Sequence, residues 1–253
     1  MLCDVVSQAD TDARTLAPPR QRKIANLRQP LLQHTMPAYS PPPHDGLDLV
    51  HHDDAVIVVN KPSGLLSVPG RGDDKQDCMA SRVQAEFADA LIVHRLDMET
   101  SGLLIFARGQ AAHRALSYSF QSRRVAKRYI AIVDGRVLAP HGEIDLPLIC
   151  DWPNRPLQKV DHEIGKPSVT RYAVLSHDPA ANTTRVELEP ITGRSHQLRV
   201  HMLSLGHPIL GDLLYASERV QNKAPRLLLH ACALSVPHPL SGQALLVTST
   251  PAF

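Results

Sequence analysis

Three runs of this chain alternate apolar with polar residues: 127–134 (KRYIAIVD), 168–176 (SVTRYAVLS) and 183–190 (TTRVELEP). A period of two is the period of a strand, and one apolar face against one polar face is the mark of antiparallel pairing with a wet side. Around them, 55–60 (AVIVVN) is a short apolar run closed by Lys61-Pro62, as a buried strand would be. Residues 102–107 and 243–249 read as further strands, and 226–234 as strand or helix. Helical spacing occurs at 79–89 (MASRVQAEFAD), 111–122 and 195–205. The expected fold is therefore α/β (α+β): a single domain around a mixed, largely antiparallel sheet. No repeat or interdomain linker interrupts it. Residues 1–43 are polar, end in Pro41-Pro42-Pro43, and read as a disordered tail. Met36 is an alternative start that would leave 1–35 outside the protein. Residues 44–253 are then the folded domain.

Composition excludes more than it selects. Four cysteines, Cys3, Cys78, Cys150 and Cys232, form no C-x-x-C pair, which argues against a zinc ribbon or redox motif. No apolar run reaches the roughly 18 residues of a membrane span, and the N-terminus lacks a signal-peptide pattern. The expectation is a cytoplasmic protein with no membrane partner. Net charge is +2. Residues 1–35 hold five basic and three acidic residues, leaving 22 of each in the remainder. Only local clustering can then mark a nucleic-acid surface. One such cluster is Arg114, Arg123, Arg124, Lys127 and Arg128, in a stretch without an acid. Aromatics are 4% of the chain, with one tryptophan, Trp152, so any base-stacking surface rests on few rings.

The most informative stretch is His94-Arg95-Leu96-Asp97-Met98-Glu99-Thr100-Ser101-Gly102, followed at once by an apolar strand. A carboxylate on such a loop, flanked by hydroxyls and a glycine that turns the chain, can serve as nucleophile or acid/base. A turn aspartate bonding its own backbone is the competing reading for Asp97 alone. Four more segments decide between them: 61–70 (KPSGLLSVPG), 127–131 (KRYIA), 193–201 (GRSHQLRVH) and 206–212 (GHPILGD). Together, in this order, they resemble the RluA-type pseudouridine synthases over roughly 47–250. Residues 144–156 (IDLPLICDWPNRP) resemble one branch of that family, and the chain shows no N-terminal S4 RNA-binding domain.

The resemblance implies an isomerase that breaks the C1′–N1 bond of a uridine in folded RNA, turns the base and rejoins it through C5. It implies Asp97 as the essential carboxylate, acting by attack on C1′ or by abstraction of a ribose proton. Tyr129 lies against the base as the route for the C5 proton, although an ordinary phenol, with a pKa near 10, is a poor base. Arg199 pairs with Asp97 and holds it ionised. The target uridine leaves its helix, and Arg95 fills the vacated space. Further contacts are implied for His94, Thr100, Arg194, His196, Lys61, Arg123, Arg124, Lys127 and Arg128. In one helix Arg194 and Arg199 would sit about 140° apart, so Arg199 belongs to the active site and Arg194 to the loop or first turn. Leu198, Met202 and Leu205 make the buried stripe. His196 and His201 lack a carboxylate at metal-ligand spacing and read as hydrogen-bonding histidines. No metal, nucleotide or organic cofactor is implied. The expected partners are large-subunit (23S-type) rRNA and the tRNA anticodon stem-loop, not DNA, and the expected state is a monomer. Two rivals remain: a metal-dependent hydrolase, for which H-E-x-x-H is missing, and a non-catalytic RNA-binding module.

Overall fold

The computed structural model describes residues 38–253. Strands β1 (Leu49–His52) and β2 (Val56–Lys61) lead to helix α1 (Met79–Glu86), and β3 (Ala90–Ile92) and β4 (Ser101–Arg108) to helix α2 (Gly109–Gln121). Then come β5 (Ala126–Asp134), β6 (His141–Asp145), β7 (Leu148–Cys150), β8 (Gln158–Val160), β9 (Val169–Asp178) and β10 (Thr183–Pro190). Helices α3 (Gln197–Ser204) and α4 (Glu218–Gln221) precede β11 (Leu229–Pro237) and β12 (Ala244–Thr248). The main sheet runs β1-β2-β4-β11-β5-β10-β9-β6, with β3 on β4 and β12 on β11; β7 and β8 form a separate hairpin. No helix among the described residues is long and apolar enough to cross a membrane.

The sheet has two kinds of strand. β2 and β4 are covered on both faces. Ile57, Val59, Leu104 and Phe106 pack with Leu65, Met79 and Val83 under α1. Val56, Val58, Leu103 and Ile105 pack with Ala112 and Leu116 of α2. Burial on both sides is why 55–60 shows no alternation. β5, β9 and β10 are covered on one face, where Ala131, Val133, Tyr172, Val186 and Leu188 meet Leu198 and Met202 of α3. Their other face carries Arg128 paired with Glu187 (2.6 Å), and Arg171 with Glu143 (2.9 Å).

A short parallel seam joins the halves, with Ser101 opposite His230 and Gly102 opposite Ala231. Gly102 sits at φ +109, and a Cβ there would lie 2.4 Å from the Ala231 carbonyl oxygen. Only glycine fits that backbone and that approach. The 94–102 loop therefore opens directly onto the seam.

Several boundaries move. Helix α1 stops at Glu86, because Phe87 takes an extended φ of −128° and turns into the α1 core. Helix α3 starts at Gln197, and Leu205, expected in its buried stripe, is its 38% exposed cap. The ambiguous 226–234 segment is strand β11 with a short lead-in. The expected tail is too long by at least five residues. The Tyr39 hydroxyl donates to the Asp77 carbonyl (2.8 Å), and Arg82 donates to the carbonyls of Pro42 and Pro43. The rest of that tail, including Met36, lies outside the described residues.

Candidate active site

Asp97 is fixed by its neighbours' backbone, which leaves its carboxylate free. The Ser67 hydroxyl brackets the preceding residue, donating to the Leu96 carbonyl (2.7 Å) and accepting from its N–H (3.0 Å). The following carbonyl, Met98, accepts from Gly64 N–H (3.0 Å) and from Lys61 Nζ (2.8 Å). Ser63 Oγ donates to the Glu99 carbonyl (2.7 Å), and Thr100 N–H closes the turn on the Asp97 carbonyl (3.1 Å). Lys61 also donates to the carbonyls of Pro62 and Leu65 and is 1% exposed. Burial pulls its ammonium down to about 7, against the nearby Glu99 and Asp97 carboxylates. Lys61 was expected to contact substrate; it is instead sealed beneath the loop it holds.

Arg199 approaches from α3. Its Nε and Nη2 grip both oxygens of Asp212, at 2.8 and 2.6 Å, while Nη1 stands 3.7 Å from Asp97 Oδ2. Arginine and partner are 3% and 1% exposed. Burial works against the guanidinium charge, but the Asp212 bonds outweigh it and the arginine pKa is raised. The direct partner of Arg199 is thus Asp212, and Asp97 receives only its outward edge.

His196, at φ +53, puts Nε2 3.9 Å from Asp97 Oδ1. Its Nδ1 is bonded to the Tyr215 hydroxyl (2.7 Å), which also accepts the Gln158 N–H (2.8 Å). Burial holds the Tyr215 phenol above its ordinary range. The Tyr215 hydroxyl can donate its own proton to Nδ1, an arrangement in which His196 would present Nε2–H to Asp97. Burial also lowers the His196 pKa, against the pull of Asp97. A left-handed non-glycine residue beside the carboxylate is the kind of strain found where geometry is held for function. His201 bonds Thr170 Oγ1 (2.9 Å) and the Leu146 carbonyl (3.1 Å), as a hydrogen-bonding histidine should.

Asp97, His196 and Arg199 line a cleft of about 530 Å³, a volume typical of ligand sites. Arg95, Arg123, Lys127, Arg194 and Arg199 line it, together with His94, Thr100, Tyr129 and His196, and Asp97 is the one carboxylate among the lining residues. Lys127 and Tyr129 face the cleft because they share one face of β5. Burial lowers the Lys127 pKa. Burial first, and then Asp97 and Cys232, hold the Tyr129 phenol far above its ordinary value. Arg95 reaches across to Ser195 Oγ (3.2 Å), and Arg194 Nε to the Pro167 carbonyl (3.4 Å). His94 forms wall rather than contact: its Nε2 accepts the Ile105 N–H (3.1 Å) and its ring stacks on Phe120.

The basic cluster does not act as one patch. Arg128, between Lys127 and Tyr129, points to the opposite face and its glutamates. Arg124 lies over the Tyr118 ring, and neither it nor Arg114 lines the cleft. Strand alternation parted Lys127 from Arg128, which proximity in sequence had joined. Ser67, Asp212 and Tyr215 join the site without having been expected there. Asp212 closes the 206–212 segment, so the signal was there, but nothing local said which arginine it would meet.

A carboxylate at the seam of a mixed sheet, facing a tyrosine and ringed by cations, is suited to acting on a nucleotide. The chain belongs to the RNA pseudouridylate synthase family, whose model matches residues 55–204. Within it the chain is of the RluA type. It is 53% identical, over 210 residues, to the dual-specificity RNA pseudouridine synthase RluA of Escherichia coli (strain K12), covering 83% of this chain and 95% of that protein. It is 51% identical over 216 residues to the RluA of Pasteurella multocida, covering 85% and 98%. Among solved structures it is similar to human RNA pseudouridylate synthase domain containing 1, with a TM-score of 0.71 and 30% identity, covering 85% of this chain and 87% of that one. The protein is an isomerase that converts uridine to pseudouridine in RNA, and a non-catalytic RNA-binding module finds no support.

Proposed function

We propose that this synthase has dual specificity, modifying a uridine in large-subunit rRNA and another in a tRNA anticodon stem-loop. The dual-specificity name of its relatives supports this reading. So does a cleft of about 530 Å³, which suits a single splayed base of a short loop. The single observation behind the site assignment is that one carboxylate, Asp97, faces five cationic side chains in the cleft. The cations meet phosphates; the carboxylate meets the ribose of the flipped nucleotide.

Asp97 works on the ribose, by attack on C1′ or by taking a ribose proton. The C1′–N1 bond breaks, the base turns in place, and C1′–C5 forms; C5 loses a proton and N1 gains one. Tyr129 lies against the base. With its phenol protonated, it takes the C5 proton only while passing its own onward. Arg199, gripped by Asp212, orients Asp97 through its outward edge. Arg95 enters the space the uridine leaves, and Arg123, Lys127 and Arg194 bind backbone. The unit that carries the activity spans Tyr39–Phe253 and acts as a monomer in the cytoplasm, where both RNAs are found.

The test uses unmodified rRNA and tRNA transcripts, with carbodiimide mapping of pseudouridine by primer extension. The wild type is expected to produce new stops at one loop uridine in each RNA, and Asp97→Asn none. Stops in one RNA only would overturn dual specificity, and full activity in Asp97→Asn would overturn the site.

A further inference from the structure

Trp152, the chain's single tryptophan, is 64% exposed at the tip of the β7–β8 hairpin. Water-exposed indole is unfavourable, and the sheet cores do not use it. The tip is nevertheless ordered. Asp151 accepts from Asn154 through both backbone (2.9 Å) and side chain (2.9 Å), and Asp151 N–H closes on the Leu157 carbonyl (2.9 Å). The Arg155 guanidinium lies 4.2 Å over the indole ring. One ring face is thus backed by a cation, and with the residue 64% exposed the rest of the ring is open to a partner.

The hairpin is rooted in the active site. Gln158, first residue of β8, donates its N–H to the Tyr215 hydroxyl, which bonds cleft-lining His196. At the hairpin's far end, Pro167 accepts from cleft-lining Arg194. Cys150 pairs with Gln158. Trp152 is two residues beyond that pair, so its Cα lies within roughly 12 Å of Gln158. An RNA strand leaving the cleft on the His196 side reaches the tip within a few nucleotides. The charges of 146–167 are balanced, with Asp151, Asp161 and Glu163 against Arg155, Lys159 and Lys166. A phosphate track would need an excess of cations. An exposed aromatic backed by arginine fits a base.

We propose that the Trp152–Arg155 pair is a stacking platform for one unpaired base of the RNA whose uridine occupies the cleft. The platform sets affinity and leaves the chemical step alone. This rests on the reading that the substrate is a looped RNA with splayed bases.

Because Trp152 is the only tryptophan, its fluorescence reports on this one site. The probe is whichever unmodified stem-loop transcript the wild type converts. Adding it should quench Trp152 emission and protect the ring from acrylamide. Trp152→Ala should raise KM about tenfold, the effect of losing one stacked base, with kcat within twofold. Trp152→Phe should recover most of the loss. Unchanged emission and accessibility, or an unchanged KM in Trp152→Ala, overturns the platform. A fall in kcat with no change in KM does so too. Failure of the substrate reading looks different, because then the wild type itself converts neither transcript.

Discussion

The two halves of the sheet bury their strands differently, and the active site draws on the difference. Around β2 and β4 both faces are covered, and the segment 61–67 spends its polar groups on the backbone of residues 96–99. That half makes a rigid mount. Around β5, β9 and β10 only one face is covered, so successive residues are committed to different solvents. Lys127 and Tyr129 face the cleft, and Arg128 faces its glutamates. The first half sets where Asp97 is; the second sets what surrounds it. The role proposed for Asp97 needs both: a firmly held backbone, and a charge environment that a substrate can reach.

The sharpest way to break this division is at the seam. Gly102→Ala puts a methyl group against the Ala231 backbone at a φ that alanine resists. The combined strain and overlap should cost about 4–5 kcal/mol, read as a shift in the urea midpoint, with activity lost alongside. Next is the pair that serves the cleft from the one-sided half. Asp212→Ala leaves the buried Arg199 charge without its partner and should cost about 3–4 kcal/mol. Wild-type stability in that variant would show that the pair holds nothing in place.

The third test is acid. His94 accepts the Ile105 N–H and is therefore neutral; burial, with a smaller push from Lys127, lowers its pKa to about 3. In the unfolded chain it protonates near 6.5. The unfolded state thus binds the extra proton first. The His94 contribution is fully present above about 6.5 and is lost as pH falls toward 3, about 2 kcal/mol of it by pH 5. His94→Gln, which keeps an acceptor for Ile105, should flatten the stability–pH slope in that window by up to about 1.4 kcal/mol per unit. His230, lowered to about 4 chiefly by burial, leaves a residual slope of the same sign. An unaltered slope in His94→Gln would show that His94 is charged when folded.

The smallest effect sharpens the comparison most. Lys127→Gln should weaken RNA binding about tenfold and lower the salt dependence by about one ion. Arg128→Gln, one residue away, should change binding less than twofold. Equal effects from the two would mean that both faces of β5 meet RNA.

Residue order alone sufficed for whatever is local or periodic. Alternation in 127–134 and 183–190 gave strands within a residue or two, because a half-buried strand must alternate. The loop at 94–102 offered Asp97 as a candidate, and its order with the segments at 61–70, 127–131, 193–201 and 206–212 singled it out. Helical geometry is local, and it set Arg194 outside the helix of Arg199; that the two nevertheless line one cleft was not legible from it. Tertiary structure decided the rest, by bringing together residues far apart in the chain. Lys61 reads as an available cation until Met98, Leu65 and Pro62 close over it. Arg199 reads as the partner of Asp97 until Asp212, thirteen residues on, takes its fork. Five cations in one acid-free stretch read as one surface, but only Arg123 and Lys127 line the cleft, and the two faces of β5 part Lys127 from Arg128. Charge and side-chain type are written in the sequence; which solvent each side chain meets depends on the packing of all the others.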